Sequence, residues 1–302
     1  MQLLHELTQY NTLVILAGTT LMGLVAGLVG TFTVLRQRAL AGDVFAHATL
    51  PGLCLAFIAI EERKLWFLLA GAAVTGFLAM LLVSSLTKNA RVKDDSALAL
   101  VLGVFFGMGI VLSRWIQNQT TEGSKAGLDS FLLGKTSGMI LTDVYFIAMV
   151  SFISLIVVIL LFKEFQLMVF DPGFASVSGW PVGLLDLILM CLMGLVVVAG
   201  LTSVGIVLIT ALLVIPAAAA RFWTNRLLIM CCVSSAIGMF ASISGVIFST
   251  LFEDLPTGAF MTLSAAFAFV ISAIFAPCRG WFWSRKRKKM QVHNTTLAME
   301  LS

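Results

Sequence analysis

The chain has 302 residues, of which 60% are hydrophobic and only 11% charged, with a mean hydropathy of +1.04 and a formal net charge of +4. Such a composition excludes an ordinary soluble domain and describes a polytopic membrane protein. Apolar runs follow one another with no insertion large enough for a soluble catalytic domain, so a single membrane domain over 1–302 is expected, ending in a short basic tail at about 279–302.

In chain order, the expected spans cover residues 11–35, 40–60, 65–86, 97–113, 140–162, 182–199, 203–220, 227–251 and 258–277. The first is read as a retained helix, because no basic region or small-residue cleavage site precedes it. Gly23 with Gly27, and Gly103 with Gly107, are spaced to let helices approach closely. Between the fourth and fifth spans, residues 117–138 read as a polar outer loop followed by a partial or re-entrant helix around 126–134, which needs protein or a water-filled cavity to cover it. Residues 163–181 read as a short amphipathic cytoplasmic element, with Asp171-Pro172 as a helix start. The sixth and seventh spans are separated only by residues 200–203, so eight or nine crossings are both compatible with the pattern. Nine crossings place most Lys and Arg on the side of the C-terminal cluster Arg285–Lys289, and the positive-inside rule then puts the N-terminus outside. All six tryptophans lie at or just beyond span ends, as an amphipathic indole prefers. The five cysteines lack zinc-finger spacing and read as small hydrophobes.

Chemistry concentrates in the second span, Gly42-Asp-Val-Phe-Ala-His-Ala-Thr-Leu-Pro-Gly52. An ionisable residue inside a membrane is costly, and Asp and His are both metal-compatible ligands. Four positions apart, Asp43 and His47 lie about 40° from one another on one helix face and about 6 Å apart along the axis, so both can reach one ion. The alternative is that Asp43 caps the helix start while His47 hydrogen-bonds to a neighbouring helix. Cys54 falls about 20° off the Asp43 stripe and offers either a soft further stop on a metal path or a buried hydrophobe. Pro51 and Gly52 can open the helix ladder and free carbonyls for a cation, or simply kink the helix.

Other motifs fail. Gly134-Lys135-Thr136 lacks the glycine a phosphate loop needs at position 129, which is Asp, so no nucleotide site is expected in this chain. No nucleophile elbow and no zinc-protease helix occur, and the chain is not expected to be an enzyme or to bind nucleic acid. The seventh span carries Pro216 and then a run of alanines leading into Arg221, Phe222, Trp223, Asn225 and Arg226. This reads as a short amphipathic helix at the membrane surface, with its aromatics free to fill a groove on a soluble partner, or as an aromatic belt with positive-inside anchors.

Four ordered blocks, at 39–52, 126–134, 170–175 and 211–221, together resemble the membrane permeases of bacterial manganese, zinc and iron ABC importers. The resemblance covers nearly the whole distance from the first span to the last. It implies an all-α, type II-like importer permease in the bacterial cytoplasmic (inner) membrane. The implied partners are a second permease subunit, identical or paralogous, a cytoplasmic ATP-binding subunit that supplies the ATPase activity, and an extracytoplasmic metal-binding protein. It also implies that Asp43 and His47 meet the transported Mn2+, Zn2+ or Fe2+, with no permanently bound cofactor, and that residues 217–226 contact the ATPase. The rival expectation is an ATP-independent secondary cation transporter or channel in which the pair relays protons, marked by internal repeats with matching broken helices; no clear repeat is evident.

Overall fold

In lipid each backbone amide must find its partner within the protein, and a helix satisfies this inside one segment. The computed structural model, which describes residues 10–60, 65–90, 92–119, 138–251 and 256–278 together with Gly280 and Phe282, accordingly builds eleven helices and no strand among those residues. They are α1 (Tyr10–Leu35), α2 (Ala39–Ile60), α3 (Leu65–Asn89), α4 (Asp94–Gln119), α5 (Leu141–Leu160), α6 (Phe162–Phe170), α7 (Pro172–Val177), α8 (Val182–Ser203), α9 (Ile206–Trp223), α10 (Leu227–Leu251) and α11 (Thr257–Phe275). The block at 126–134, Lys135, His5, His293 and the Arg285–Lys289 cluster lie outside the described residues.

Eight helices, α1–α5, α8, α10 and α11, are long and apolar enough to cross a membrane. Helix α9 has 18 residues, about 27 Å at 1.5 Å per residue, close to the thickness of a hydrocarbon core. Its start lies near Gly258, since a Cβ there would meet Val204 and Leu208, and its last residue Trp223 bonds Ser272 near the end of α11. Helix α9 therefore runs parallel to α11. The short connection before it turns at Gly205, whose φ of 92° suits glycine.

Apolar helices gain no hydrophobic drive from touching one another in lipid, so their packing depends on close van der Waals approach. Helix α1 is the hub of one half. A Cβ on Gly23 would collide with the Gly238 carbonyl of α10, one on Gly27 with the Ser234 carbonyl, and one on Gly30 with the Leu213 carbonyl of α9. Ser234 Oγ donates to the Gly27 carbonyl at 2.7 Å, which seals the α1–α10 contact. Buried threonines of α1 return their hydroxyls to their own helix, Thr19 to Ile15 O at 2.8 Å and Thr31 to Gly27 O at 2.9 Å.

Helix α2 organises the other half, lying against α3 and α4. Gly52 meets α3 so closely that a Cβ would strike the Gly71 carbonyl, and Gly109 of α4 receives Leu50. By contrast Gly103 and Gly107, expected to serve close packing, have no heavy atom within 4 Å of a Cβ position. They lie on the outward face of α4, and the inward contact is made by Gly109 instead.

Two further expectations shift. Helix α4 continues to Gln119, so the loop after it starts later than residue 117. Residues 217–223 do not form a separate surface helix: α9 runs unbroken through Pro216 to Trp223, and Ala217, Ala219 and Ala220 are fully buried. Small alanines let that final part of the span pack inside the bundle where an interfacial helix would need a polar face. Within 163–181 two short helices form, α6 and α7, with the second starting after Asp171 as expected.

Candidate metal station in the second span

Helix α2 begins at Ala39, so Asp43 stands in the second turn, too far in to act as its N-cap. Its Oδ1 lies 3.4 Å from His47 Nε2, and the side chains are 38% and 17% exposed respectively. The imidazole is braced by Phe106 of α4, edge to face at 4.8 Å between centroids. Its Nδ1 is buried and has no hydrogen-bond partner among the described residues. With metal–ligand bonds of about 2.1 Å, two donor atoms that far apart subtend about 108° at a shared ion, close to tetrahedral and within reach of a distorted octahedron. The pair can thus hold one divalent cation. Among the described residues no group of three or more His, Cys, Asp or Glu is placed to hold a metal, so those residues offer two ligands and not a cage.

The other residues singled out around the pair take different places. Cys54 is fully buried and turns its thiol to the Gly109 carbonyl of α4 at 3.9 Å, in the α2–α4 seam. Pro51 sits inside an uninterrupted α2, and because it lacks an N–H it cannot donate to the carbonyl of His47, four residues back. Gly52 is occupied with the α3 contact already described. Of the five residues at the other candidate surface, Phe222 packs edge to face on Phe269 at 5.6 Å, and Trp223 Nε1 donates to Ser272 Oγ at 2.9 Å. Both aromatics are thereby fastened to α11, while Asn225 and Arg226 remain exposed in the turn to α10 and Arg221 is half-buried.

Two features escaped the sequence reading. Phe45, fully buried, seats its ring against Gly76 of α3 and Gly194 of α8, where a Cβ on either glycine would collide with it. Asp186, on α8, takes Arg36 Nε on Oδ1 at 3.2 Å and Arg38 Nη1 on Oδ2 at 2.7 Å. The available signal for Asp186 was its being a lone acid inside an apolar span, which by itself asks for a basic partner.

Residues 9–276 match the ABC 3 transport family. The chain belongs to the ABC 3 transport family. Among ABC 3 relatives it is similar to the manganese transport system membrane protein MntC of Bacillus subtilis, 42% identical over 93% of this chain and 63% of that protein. It is 35% identical to the zinc transport system membrane protein TroC of Treponema pallidum, over 95% of this chain and 96% of the relative. The chain thus spans somewhat under two thirds of the Bacillus relative and nearly all of the Treponema one. Among solved structures, PsaBC from Streptococcus pneumoniae in complex with Fab superposes with a TM-score of 0.80 at 32% identity, covering 92% of this chain and 96% of that one. As a member of the ABC 3 transport family with eight helices long and apolar enough to cross a membrane, the chain is a multi-pass membrane protein, as the four blocks implied. The matched region contains the Asp43–His47 pair, α7 and the α9–α10 turn, and stops short of the basic cluster.

Proposed function

We propose that the chain is the permease subunit of an importer in a bacterial cytoplasmic membrane, carrying manganese, zinc or ferrous iron inward while a separate cytoplasmic subunit hydrolyses ATP. The observation that carries this reading is the Asp43–His47 pair, 3.4 Å apart on one face of a mostly buried helix, in a family whose relatives are named for manganese and zinc transport. An extracytoplasmic metal-binding protein delivers the ion. It sheds part of its water shell, is held by the Asp43 carboxylate and the neutral His47 imidazole, and leaves on the opposite side. Water or a second permease subunit completes the shell, since two ligands fall short of the four to six such ions take. Weak, incomplete coordination suits transport because an ion held in a full cage would not depart.

The end carrying Arg36, Arg38, Lys163, Arg221 and Arg226 is cytoplasmic by the positive-inside rule. A cavity of about 680 Å³ lined by Leu28, Lys163 and Leu228 supports placing α6 and the start of α10 at one end. The ATPase docks there, over α7 and the exposed Asn225 and Arg226. Helix α7 is suited to this because its start is capped by Asp171, whose Oδ1 accepts from the Phe174 N–H at 2.8 Å, and it presents Phe174 and Val177 bare at 58% and 89% exposure.

The test is uptake of radiolabelled manganese, zinc and iron by the complex reconstituted with its ATPase and metal-binding protein. ATP-dependent accumulation of at least one metal is expected. Accumulation that ignores ATP but follows a proton gradient would favour a secondary transporter and overturn the reading.

A further inference from the structure

We propose that Asp186 is a positioning residue that ties the ATPase-facing corner of the fold to the helix bearing the metal ligands; the proposal rests on the import reading above. The tie has three parts, each visible in the geometry.

The first is a rigid turn between α1 and α2. Arg38 N–H donates to the Thr33 carbonyl at 3.0 Å and Gln37 N–H to the Val34 carbonyl at 3.1 Å, with Gln37 in the left-handed region at φ 59°. This is the paired bonding of a Schellman closure, which fixes the backbone between the two arginines. A residue with a Cβ rarely occupies that region, so the turn is held by its surroundings.

The second is the carboxylate itself. Each of its oxygens takes a different guanidinium, one at the end of α1 and one just before α2. The three side chains are only 15–28% exposed, so the charges are partly withdrawn from water and removal of Asp186 would leave two guanidiniums facing one another. A neutral helix contact needs no such arrangement.

The third is position in the chain. Helix α7 leads through Ser178–Pro181 directly into α8, and Asp186 lies in the second turn of α8. Arg38 precedes α2, and Asp43 follows in the second turn of α2. A displacement of α7 can thus reach the helix bearing Asp43 and His47 through the ion-paired carboxylate. A cavity of about 620 Å³ lined by Arg36, Arg38, Phe77, Ser84 and Asp186 leaves space beside this bridge for α8 to move. Phe45 against Gly194 provides a second, uncharged contact between α2 and α8, so the bundle does not depend on the ion pairs to assemble.

The experiment uses Asp186→Asn and Asp186→Glu in the full permease–ATPase complex in proteoliposomes. ATP turnover and manganese uptake are measured on the same vesicles, and labels on the exposed Leu40 and Leu184 report the α2–α8 distance by pulsed electron resonance with and without trapped nucleotide. For Asp186→Asn the metal carried per ATP is expected to fall about tenfold, within the range of typical coupling free energies, with ATP turnover largely kept. The Leu40–Leu184 distance should stay constant between nucleotide states in the unmodified protein and diverge in Asp186→Asn, and Asp186→Glu should restore both. Uptake and ATP turnover that fall in proportion, or distance distributions identical in all variants and nucleotide states, would overturn the proposal. If the unmodified complex carries no metal with ATP, the import reading fails, and the distances still decide whether Asp186 links the helices.

Discussion

At the residue scale the chemistry rests on two side chains separated by one helical turn. In the proposed role both side chains donate to one ion, and His47 Nε2 lies 3.4 Å from Asp43 Oδ1. Asp43→Asn keeps the shape of the side chain but removes the charge that compensates a dication, and His47→Ala removes the nitrogen. Each should abolish radiometal uptake while the complex with the ATPase still assembles in a pull-down, because neither residue belongs to α7 or to the turn between α9 and α10. Uptake at normal levels in either variant would refute the pathway assignment. The pair was legible in the linear chain because Asp and His are conspicuous in an apolar run and the helical period alone puts them on one face. The role of Phe106 was not legible, since the residue that braces His47 comes from α4, far along the chain.

At the element scale, contacts between helices are set by a few positions without side chains. Gly23 and Gly238 approach so closely that a Cβ on either meets the other's carbonyl. A backbone oxygen cannot swing away as a side-chain tip can, so Gly238→Val should part α1 from α10 and markedly lower the yield of folded, detergent-stable protein, while Gly103→Val, on the open face of α4, should leave it near wild type. Equal thermal stability of the two variants would contradict this packing. The spacing of Gly103 and Gly107 is the same as that of Gly23 and Gly27, and spacing cannot tell which face of a helix is turned inward. The α7 start, by contrast, was legible at once: Asp followed by Pro is a local signal, and its bond to Phe174 is made within one turn. Helices α7 and α9 also divide the coupling prediction. Phe174→Asp with Val177→Asp should cost binding of the ATPase subunit, measured by co-purification, without loss of the folded permease. Phe222→Ala should act mainly on thermal stability, because that ring is packed on Phe269 of α11. Loss of ATPase binding in Phe222→Ala with none in the α7 double variant would reverse the assignment.

For the whole molecule, membrane residence and helical class follow from composition, because a chain this apolar with repeated runs near bilayer length has only helices with which to satisfy its backbone in lipid. The placing of the Asp43–His47 pair was also carried by the linear order, for both lie on one helix. Whether the seventh apolar run crosses depended on its neighbours: α9 is short, and its course is set by Gly258 at one end and Ser272 at the other. The same holds for Asp186. Its need for a basic partner was implicit in its span, but the choice of Arg36 and Arg38, about 150 residues earlier, emerges only when α8 comes to lie beside the α1–α2 turn. Periodicity and capping act over a turn or two and can be read along the chain; close approach and ion pairing join distant segments, and only the assembled bundle brings those partners together.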